Sequence, residues 1–168
     1  CNLFQGEVEI TEKIDGSQFC FGLNENGERQ MRSKGQDLSH LNHDTFPKMF
    51  QSVYEILDTI VFPRIEKMNV PNGVYFYAEY LEKPKHNTLR YARIPRNHLY
   101  LFGVQIGNTF ISHYDTLIAY ADILDIEPVN VLYHGQINSA DELKTFLQLQ
   151  SILGNEKIEG VVVKNYDE

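Results

Sequence analysis

Lys13 is the side chain in this sequence that best fits a chemical role, as a nucleophile at a turn between strands. It opens the tetrapeptide Lys-Ile-Asp-Gly, which lies between an alternating run at 8–11 and a second one at 17–23. This pattern predicts two strands joined by a tight connection, where a lysine can point into a cleft. A lysine attacks only as the free amine, so its ordinary pKa of about 10.4 must be lowered by desolvation or by neighbouring cations. Asp-Gly is also an ordinary turn pair, so the assignment depends on later segments.

Three later segments accompany Lys13: Tyr-Ala-Glu-Tyr-Leu at 77–81, Leu-Phe-Gly-Val at 101–104 and Glu-Gly-Val-Val-Val-Lys at 159–164. In this order the four segments resemble motifs I, III, IIIa and IV of the covalent nucleotidyltransferases, the superfamily of ATP-dependent DNA and RNA ligases and mRNA capping enzymes. The basic segment Arg-Ser-Lys-Gly at 32–35 resembles the short element that follows motif I in these enzymes. The resemblance covers nearly the whole chain. The context at 14–19 looks most like the phage-type RNA ligases.

The resemblance implies a covalent mechanism with Lys13, Glu159 and Lys164 as catalytic residues. The Lys13 amine would attack the α-phosphate of ATP, expel pyrophosphate and keep AMP as a phosphoramide. Glu159 would hold Mg²⁺ against the growing charge, and Lys164 would add positive charge. Because in-line attack on phosphorus needs little other chemistry from the protein, positioning and charge neutralisation would carry most of the catalysis. Asp15 would orient Lys13 or serve the turn.

The family resemblance also implies a set of nucleotide-binding residues: Glu12, Arg32, Glu79, Phe102 and Lys164. Glu79 would accept hydrogen bonds from the ribose hydroxyls. Phe102 would stack on adenine, and the adjacent Gly103 would let the base approach. Arg32 would contact the ribose or a phosphate, and Glu12 would contribute through its backbone.

A basic segment at 83–98 stands out against the acidic balance of the chain. The net charge is −8, yet this segment holds five arginines and lysines and no acid. A block of one charge sign is often a solvated loop, but here tyrosine, histidine and other polar residues accompany it. We therefore expect contact with nucleic acid or phosphate, through Lys83, Lys85, Arg93 and Arg96.

The order of predicted elements indicates an α+β fold with largely antiparallel sheets flanked by helices. Strands are predicted at 8–11, 17–23, 29–34, 74–81, 98–106, 109–112, 129–137 and 160–164, several of them joined as hairpins. Helices are predicted at 45–68, capped by Asp44 or Thr45 and broken or kinked at Pro63, at 114–124, and from a capping box at Ser139 to about residue 153. This agrees with the family's nucleotidyltransferase (ATP-grasp-like) domain. Neither Gly-x-Gly-x-x-Gly nor a Walker loop is present.

The length suits one domain spanning 1–168, and the resemblance implies that it is an adenylation domain and a fragment of a longer chain. The family continues to a Lys-x-Lys motif that is absent from these 168 residues. No apolar run approaches the roughly 20 residues that cross a bilayer. Two isolated cysteines fit a reducing compartment. We therefore expect a cytoplasmic monomer with no membrane contact.

Three functions fit these features. The first is the adenylation domain of an ATP-dependent RNA ligase, which uses ATP to seal a 5′-phosphate end of RNA to a 3′-OH. The second is a DNA ligase, although DNA ligases usually carry an arginine at the position of Gln18. The third is a nucleotide- or nucleic-acid-binding module that does no chemistry. Covalent retention of AMP distinguishes an enzyme from such a module.

Overall fold

Two mainly antiparallel sheets line opposite sides of a cleft, which confirms the predicted α+β fold. The computed structural model describes residues 6–165. The strands, in chain order, are β1 (Val8–Lys13), β2 (Ser17–Leu23), β3 (Arg29–Ser33), β4 (Val74–Tyr80), β5 (Leu99–Ile106), β6 (Thr109–Ile111), β7 (Glu127–Pro128), β8 (Val131–Gly135) and β9 (Gly160–Asn165). The small sheet has the order β8-β1-β9, and the large sheet has the order β3-β2-β4-β5-β6. Strand β7 adds a short parallel pair to β5.

The large sheet separates a hydrophobic core from the cleft, because its strands alternate between the two faces. Along β4, Phe76, Ala78 and Tyr80 are buried, while Tyr77 and Glu79 are only half-buried. Phe76 packs against Phe21 of β2, with ring centroids 5.5 Å apart. Helices cover this core face, so the opposite face of the sheet is left for the cleft.

The first helical region bears out the predicted helix at 45–68 in its main part but differs at Thr45 and Pro63. It consists of a 3₁₀ turn (Lys48–Phe50), α1 (Gln51–Ile56), a π-helical segment (Leu57–Val61) and α2 (Phe62–Lys67). Helical geometry continues through Pro63. The wider π segment lies immediately before it, where a residue without an N–H disturbs the regular hydrogen bonding. The Thr45 hydroxyl accepts a hydrogen bond from the Asn42 N–H at 2.9 Å and caps no helix.

The later helices are α3 (Tyr114–Leu124) and α4 (Ala140–Thr145). Helix α3 has the predicted bounds. Helix α4 begins with the predicted cap, in which the Ser139 hydroxyl accepts a hydrogen bond from the Glu142 N–H at 3.2 Å. It ends at Thr145 and is followed by a 3₁₀ turn (Phe146–Gln148), so helical structure stops before the predicted end near residue 153. The following residues are held by long-range bonds instead, including one from the Ile152 N–H to the Glu12 carboxylate at 3.0 Å.

Candidate active site

Lys13 lies where the chain crosses from the small sheet to the large one. It is the last residue of β1, and β2 begins in the other sheet four residues later. The predicted tight connection is therefore confirmed, but it joins two sheets instead of forming a hairpin. Gly16 is required in this turn, since a Cβ at that position would lie 2.6 Å from the carbonyl oxygen of Tyr80. Lys13 is exposed and lines the cleft together with Glu79 and Glu159.

The pairing of β1 with β9 places Glu159 beside Lys13. Lys13 lies opposite Gly160, the first residue of β9, and Glu159 immediately precedes it. Burial raises the pKa of the Glu159 carboxyl; the charge of Lys13 opposes this rise, and that of Asp15 adds to it. The two most separated motifs of the sequence thus meet through one antiparallel register.

Glu79 faces the cleft from the large sheet. We call the part of the cleft lined by Lys13, Glu79 and Glu159 the groove. It lies in β4 opposite Gln18 of β2, and its carboxylate accepts a hydrogen bond from the Gly16 N–H at 3.1 Å. Burial raises the pKa of Glu79 to about 7; the hydrogen bond from Gly16 opposes that rise. The proximity of Glu159 raises this pKa further, while that of Lys13 lowers it. A partly buried carboxylate with a raised pKa in a cleft is typical of a functional site.

A cavity of about 380 Å³ adjoins Lys13 and has a largely apolar lining. Phe102 and Tyr100 both contribute to its wall, and stacking of Phe102 on adenine stays a prediction. Phe110 is a wall residue that the sequence analysis missed. Its ring lies over Gly103, where a Cβ would come within 2.2 Å of the ring, so the Phe110 ring fills the space at Gly103 that we had expected to admit the base. The one sequence signal for Phe110 is a large aromatic residue in a short strand after a Gly-Asn turn.

Lys164 lines this cavity but already has partners. Its ammonium group lies 3.4 Å from the carboxylate of Glu9 and also donates to the carbonyl of Ser112. Glu9 is directly opposite Lys164 in the β1–β9 register and is only 4% exposed. Burial lowers the pKa of Lys164, and the Glu9 carboxylate opposes this. Glu9 had no role in the sequence prediction.

Glu12 has a structural role beside its place in the cavity wall. Its side chain is 1% exposed, and one carboxylate oxygen accepts hydrogen bonds from the Asn130 side chain and the Ile152 N–H, both at 3.0 Å. The Glu12 carbonyl accepts a hydrogen bond from the Tyr100 hydroxyl at 2.6 Å. These bonds fix the strand that ends in Lys13. Contact between Glu12 and a nucleotide stays a prediction.

Arg32 lies on the cleft side of the large sheet but away from the cavity. It is opposite Cys20 in the β2–β3 register, and Cys20 is opposite Tyr77. Because residues two apart along a strand share a face, Arg32 shares the face of Gln18 and Glu79. The side chain is exposed at β3, so contact with a ribose or phosphate there stays a prediction.

The basic segment divides into two parts. Arg93 forms a bidentate ion pair with the nearly buried Glu127, at 2.8 and 2.9 Å, and Arg96 lies 3.7 Å from Asp125. In contrast, the side chains of Lys83, Lys85 and Arg90 form no ion pair within the described part of the chain. Phosphate binding by Arg93 and Arg96 stays a prediction, yet both guanidinium groups already have carboxylate partners.

Within residues 6–165, no group of three or more histidine, cysteine, aspartate or glutamate side chains is arranged to hold a metal ion. A metal at Lys13 would therefore need oxygen atoms from a substrate beside Glu159. None of the helices described is long and apolar enough to cross a membrane.

Comparison with known proteins agrees with this geometry. The RNA ligase family matches the sequence over residues 6–168. No curated protein matches it. A solved structure of an alanine variant of the Naegleria gruberi RNA ligase without ligand has a TM-score of 0.73 and 13% identity, covering 98% of this chain and 48% of the other. The same ligase with pyrophosphate gives a TM-score of 0.71 at 15% identity, with 96% and 47% covered.

A further variant of that ligase, solved with ATP and Mn, gives a TM-score of 0.72 at 14% identity and covers 98% of this chain. At these identities the solved structures show the fold alone. The chain spans about half the length of these ligases. The match to the family, in contrast, includes all four segments around the cleft, from the Lys13 turn to β9. This chain belongs to the RNA ligase family.

Proposed function

We propose that this chain is the adenylation domain of an ATP-dependent RNA ligase, with Lys13 as the nucleophile. The observation that carries the proposal is the position of Lys13 at the crossing between the sheets, with Glu79 and Glu159 on the same groove and an aromatic cavity beside it. The neutral amine attacks the α-phosphorus of ATP, a nitrogen–phosphorus bond forms, and the bond to pyrophosphate breaks. AMP then passes to a 5′-phosphate end of RNA and is released when a 3′-OH attacks that end.

The cavity suits an adenosine. Its apolar wall matches the flat base, and Phe102 offers a ring for stacking. Glu79 projects into both the cavity and the groove, so it lies where it can accept hydrogen bonds from ribose hydroxyls. At pH values above its pKa of about 7, the carboxylate is the acceptor that this role requires.

The groove fits a divalent ion that is held jointly by protein and substrate. Mg²⁺ usually binds one or two carboxylates together with phosphate oxygens and water, and Glu159 is the carboxylate we assign to it. Burial and the nearby Asp15 both raise the pKa of Glu159. A bound cation would favour the charged carboxylate and so oppose this rise. When bound, the ion would neutralise charge on the α-phosphate. The similar Naegleria gruberi ligase was solved with Mn.

The polynucleotide is assigned to the basic segment. Lys83 and Lys85 are exposed and without ion pairs in the described chain, so phosphates can bind them. Arg93 and Arg96 support the fold of the segment through Glu127 and Asp125. We also propose that the chain is a monomer and that it is cytoplasmic; the buried free thiol of Cys20 supports a reducing compartment.

The proposal is tested by incubating the chain with ATP labelled at the α-phosphate and Mg²⁺, then adding RNA or DNA of the same sequence with 5′-phosphate ends. We expect label on the protein first and on RNA afterwards. Glu159→Ala should retain little label at low Mg²⁺ and recover part of it when Mg²⁺ is raised, since the substrate phosphates still supply ligands. Label that moves to DNA in preference to RNA would reassign the substrate, and a protein that never takes up label would refute the proposal.

A further inference from the structure

The start of the basic segment is a small hairpin with two cations side by side. Lys85 and Arg90 are directly opposite each other in an isolated antiparallel bridge, and the Tyr91 N–H donates to the Pro84 carbonyl at 3.0 Å. Residues opposite each other in an antiparallel pair have Cβ atoms about 5 Å apart and project to the same side. Both side chains are exposed. We call residues 85–90 the basic hairpin.

The tip of the basic hairpin is fastened to the Lys13 turn. One oxygen of the Asp15 carboxylate accepts hydrogen bonds from the N–H groups of Thr88 and Leu89, at 2.9 and 2.8 Å. The Asn87 side chain donates to the Gly16 carbonyl at 2.8 Å. Asp15 therefore serves as a positioning residue that joins the hairpin to the turn that follows Lys13.

Three further hydrogen bonds fix the orientation of the hairpin. The Tyr91 hydroxyl accepts a hydrogen bond from the Asp15 N–H at 2.9 Å. His86 lies between the Glu82 N–H, 3.1 Å from its Nδ1 atom, and the Ser17 hydroxyl, 2.8 Å from its Nε2 atom. Because the Nδ1 atom accepts a hydrogen bond, it carries no proton, so the ring is neutral with its proton on Nε2. Burial lowers the pKa of His86, which also favours the neutral ring. The hairpin is thus a fixed part of the site.

Holding two like charges opposite each other is unfavourable unless an anion lies between them. Other cations of the segment, Arg93 and Arg96, have carboxylate partners at 2.8 and 3.7 Å. Lys85 and Arg90 have none among residues 6–165; the nearby Glu156 carboxylate contacts only the backbone N–H of Arg90, at 3.4 Å. The pair therefore has the charge and the spacing of an anion site.

We propose that Lys85 and Arg90 bind the terminal 5′-phosphate of the RNA strand that receives AMP. A terminal phosphate carries more negative charge than an internal phosphodiester, and an arginine fork with a lysine suits its oxygens. The hydrogen bonds from residues 87–89 to Asp15 and Gly16 join the hairpin that presents this pair to the turn that follows Lys13. The inference rests on the proposed function and adds to it the place where the reacting end is held.

The test compares binding of two short single-stranded RNAs of roughly ten nucleotides, identical except for a 5′-phosphate or a 5′-hydroxyl, to the 168-residue chain without ATP. Fluorescence anisotropy gives the ratio of the two affinities. We expect the wild type to prefer the phosphorylated RNA about tenfold, and Lys85→Ala/Arg90→Ala to lose this preference. Lys67→Ala/Lys144→Ala removes two exposed positive charges elsewhere and should keep it. The charge-preserving Lys85→Arg/Arg90→Lys should also keep most of it.

A wild type that binds both RNAs equally, or a Lys85→Ala/Arg90→Ala variant that keeps the wild-type ratio, would overturn the inference. If this double variant keeps the ratio and also needs a higher ATP concentration to acquire AMP, the pair binds the triphosphate of ATP and not the RNA end. Failure of the proposed function looks different. It would appear as a wild type that takes up no AMP from ATP and Mg²⁺, a measurement that contains no RNA.

Discussion

Replacing Glu79 by glutamine should make the protein more stable at alkaline pH while impairing the site. Burial raises the pKa of this carboxyl from 4.5 to about 7. Below pH 4.5 both folded and unfolded chains hold the proton, so stability is unaffected. As pH rises towards 7 the unfolded chain releases it first, and the stability of the wild type falls. A shift of this size corresponds to about 3 kcal/mol, which we reduce to a range of about 1–3 kcal/mol because Glu79 is partly open to solvent.

The glutamine variant removes the charge and keeps the oxygen that accepts the Gly16 N–H. Urea unfolding of both proteins at about pH 5 and about pH 8 gives the change in their stability difference, in which titrating groups that do not interact with Glu79 cancel. We expect Glu79→Gln to gain about 1–3 kcal/mol over the wild type between these pH values. The exposed Glu66→Gln should show a difference below about 0.5 kcal/mol. An equal stability difference at both pH values for Glu79→Gln would refute the argument that this carboxylate is desolvated.

Two ion pairs give further predictions. Arg93→Ala should destabilise the fold by about 2 kcal/mol, because it leaves the nearly buried Glu127 without its partner, whereas Arg96→Ala should change stability by less than about 0.5 kcal/mol. Urea unfolding measures both changes. A loss of stability for Arg93→Ala as small as that for Arg96→Ala would contradict a stabilising ion pair between Arg93 and Glu127. Lys164→Met should destabilise by about 3 kcal/mol by leaving Glu9 buried and unpaired, and adding Glu9→Gln should recover more than half of that loss. Strictly additive losses in the double variant would contradict a coupled pair.

The fold and the centre of the site follow from local patterns in the sequence. An alternating run located the strand that leads to Lys13, and a run of aromatic and β-branched residues located the strand that carries Glu79. Helical periodicity gave α3 its full bounds. The crossing between sheets at Lys13 could not be predicted this way, because alternation describes one strand and not its partner. The family resemblance implied that Glu159 and Lys13 act at one site, and the β1–β9 register is what brings them together.

The missed features all depend on contacts between distant parts of the chain. Phe110 reaches the cavity because Gly103 leaves room for its ring, and Glu9 tolerates burial because Lys164 lies across the register. Asp15 was expected to orient Lys13 or to serve the turn; its side chain holds the backbone at 88–89 instead. Helix α4 ends early because the chain after it is bound by the Glu12 carboxylate, a contact that helix propensity does not encode.

The attachment site of AMP tests the central claim most directly. The wild-type chain, treated with ATP and Mg²⁺, is digested, and the modified peptide is identified by mass spectrometry. The account predicts one AMP, on Lys13, and none on a Lys13→Ala variant that unfolds in urea like the wild type to within about 1 kcal/mol, because Lys13 is exposed at the end of its strand. AMP on Lys164 or on any other side chain, or AMP that persists on Lys13→Ala, would contradict it.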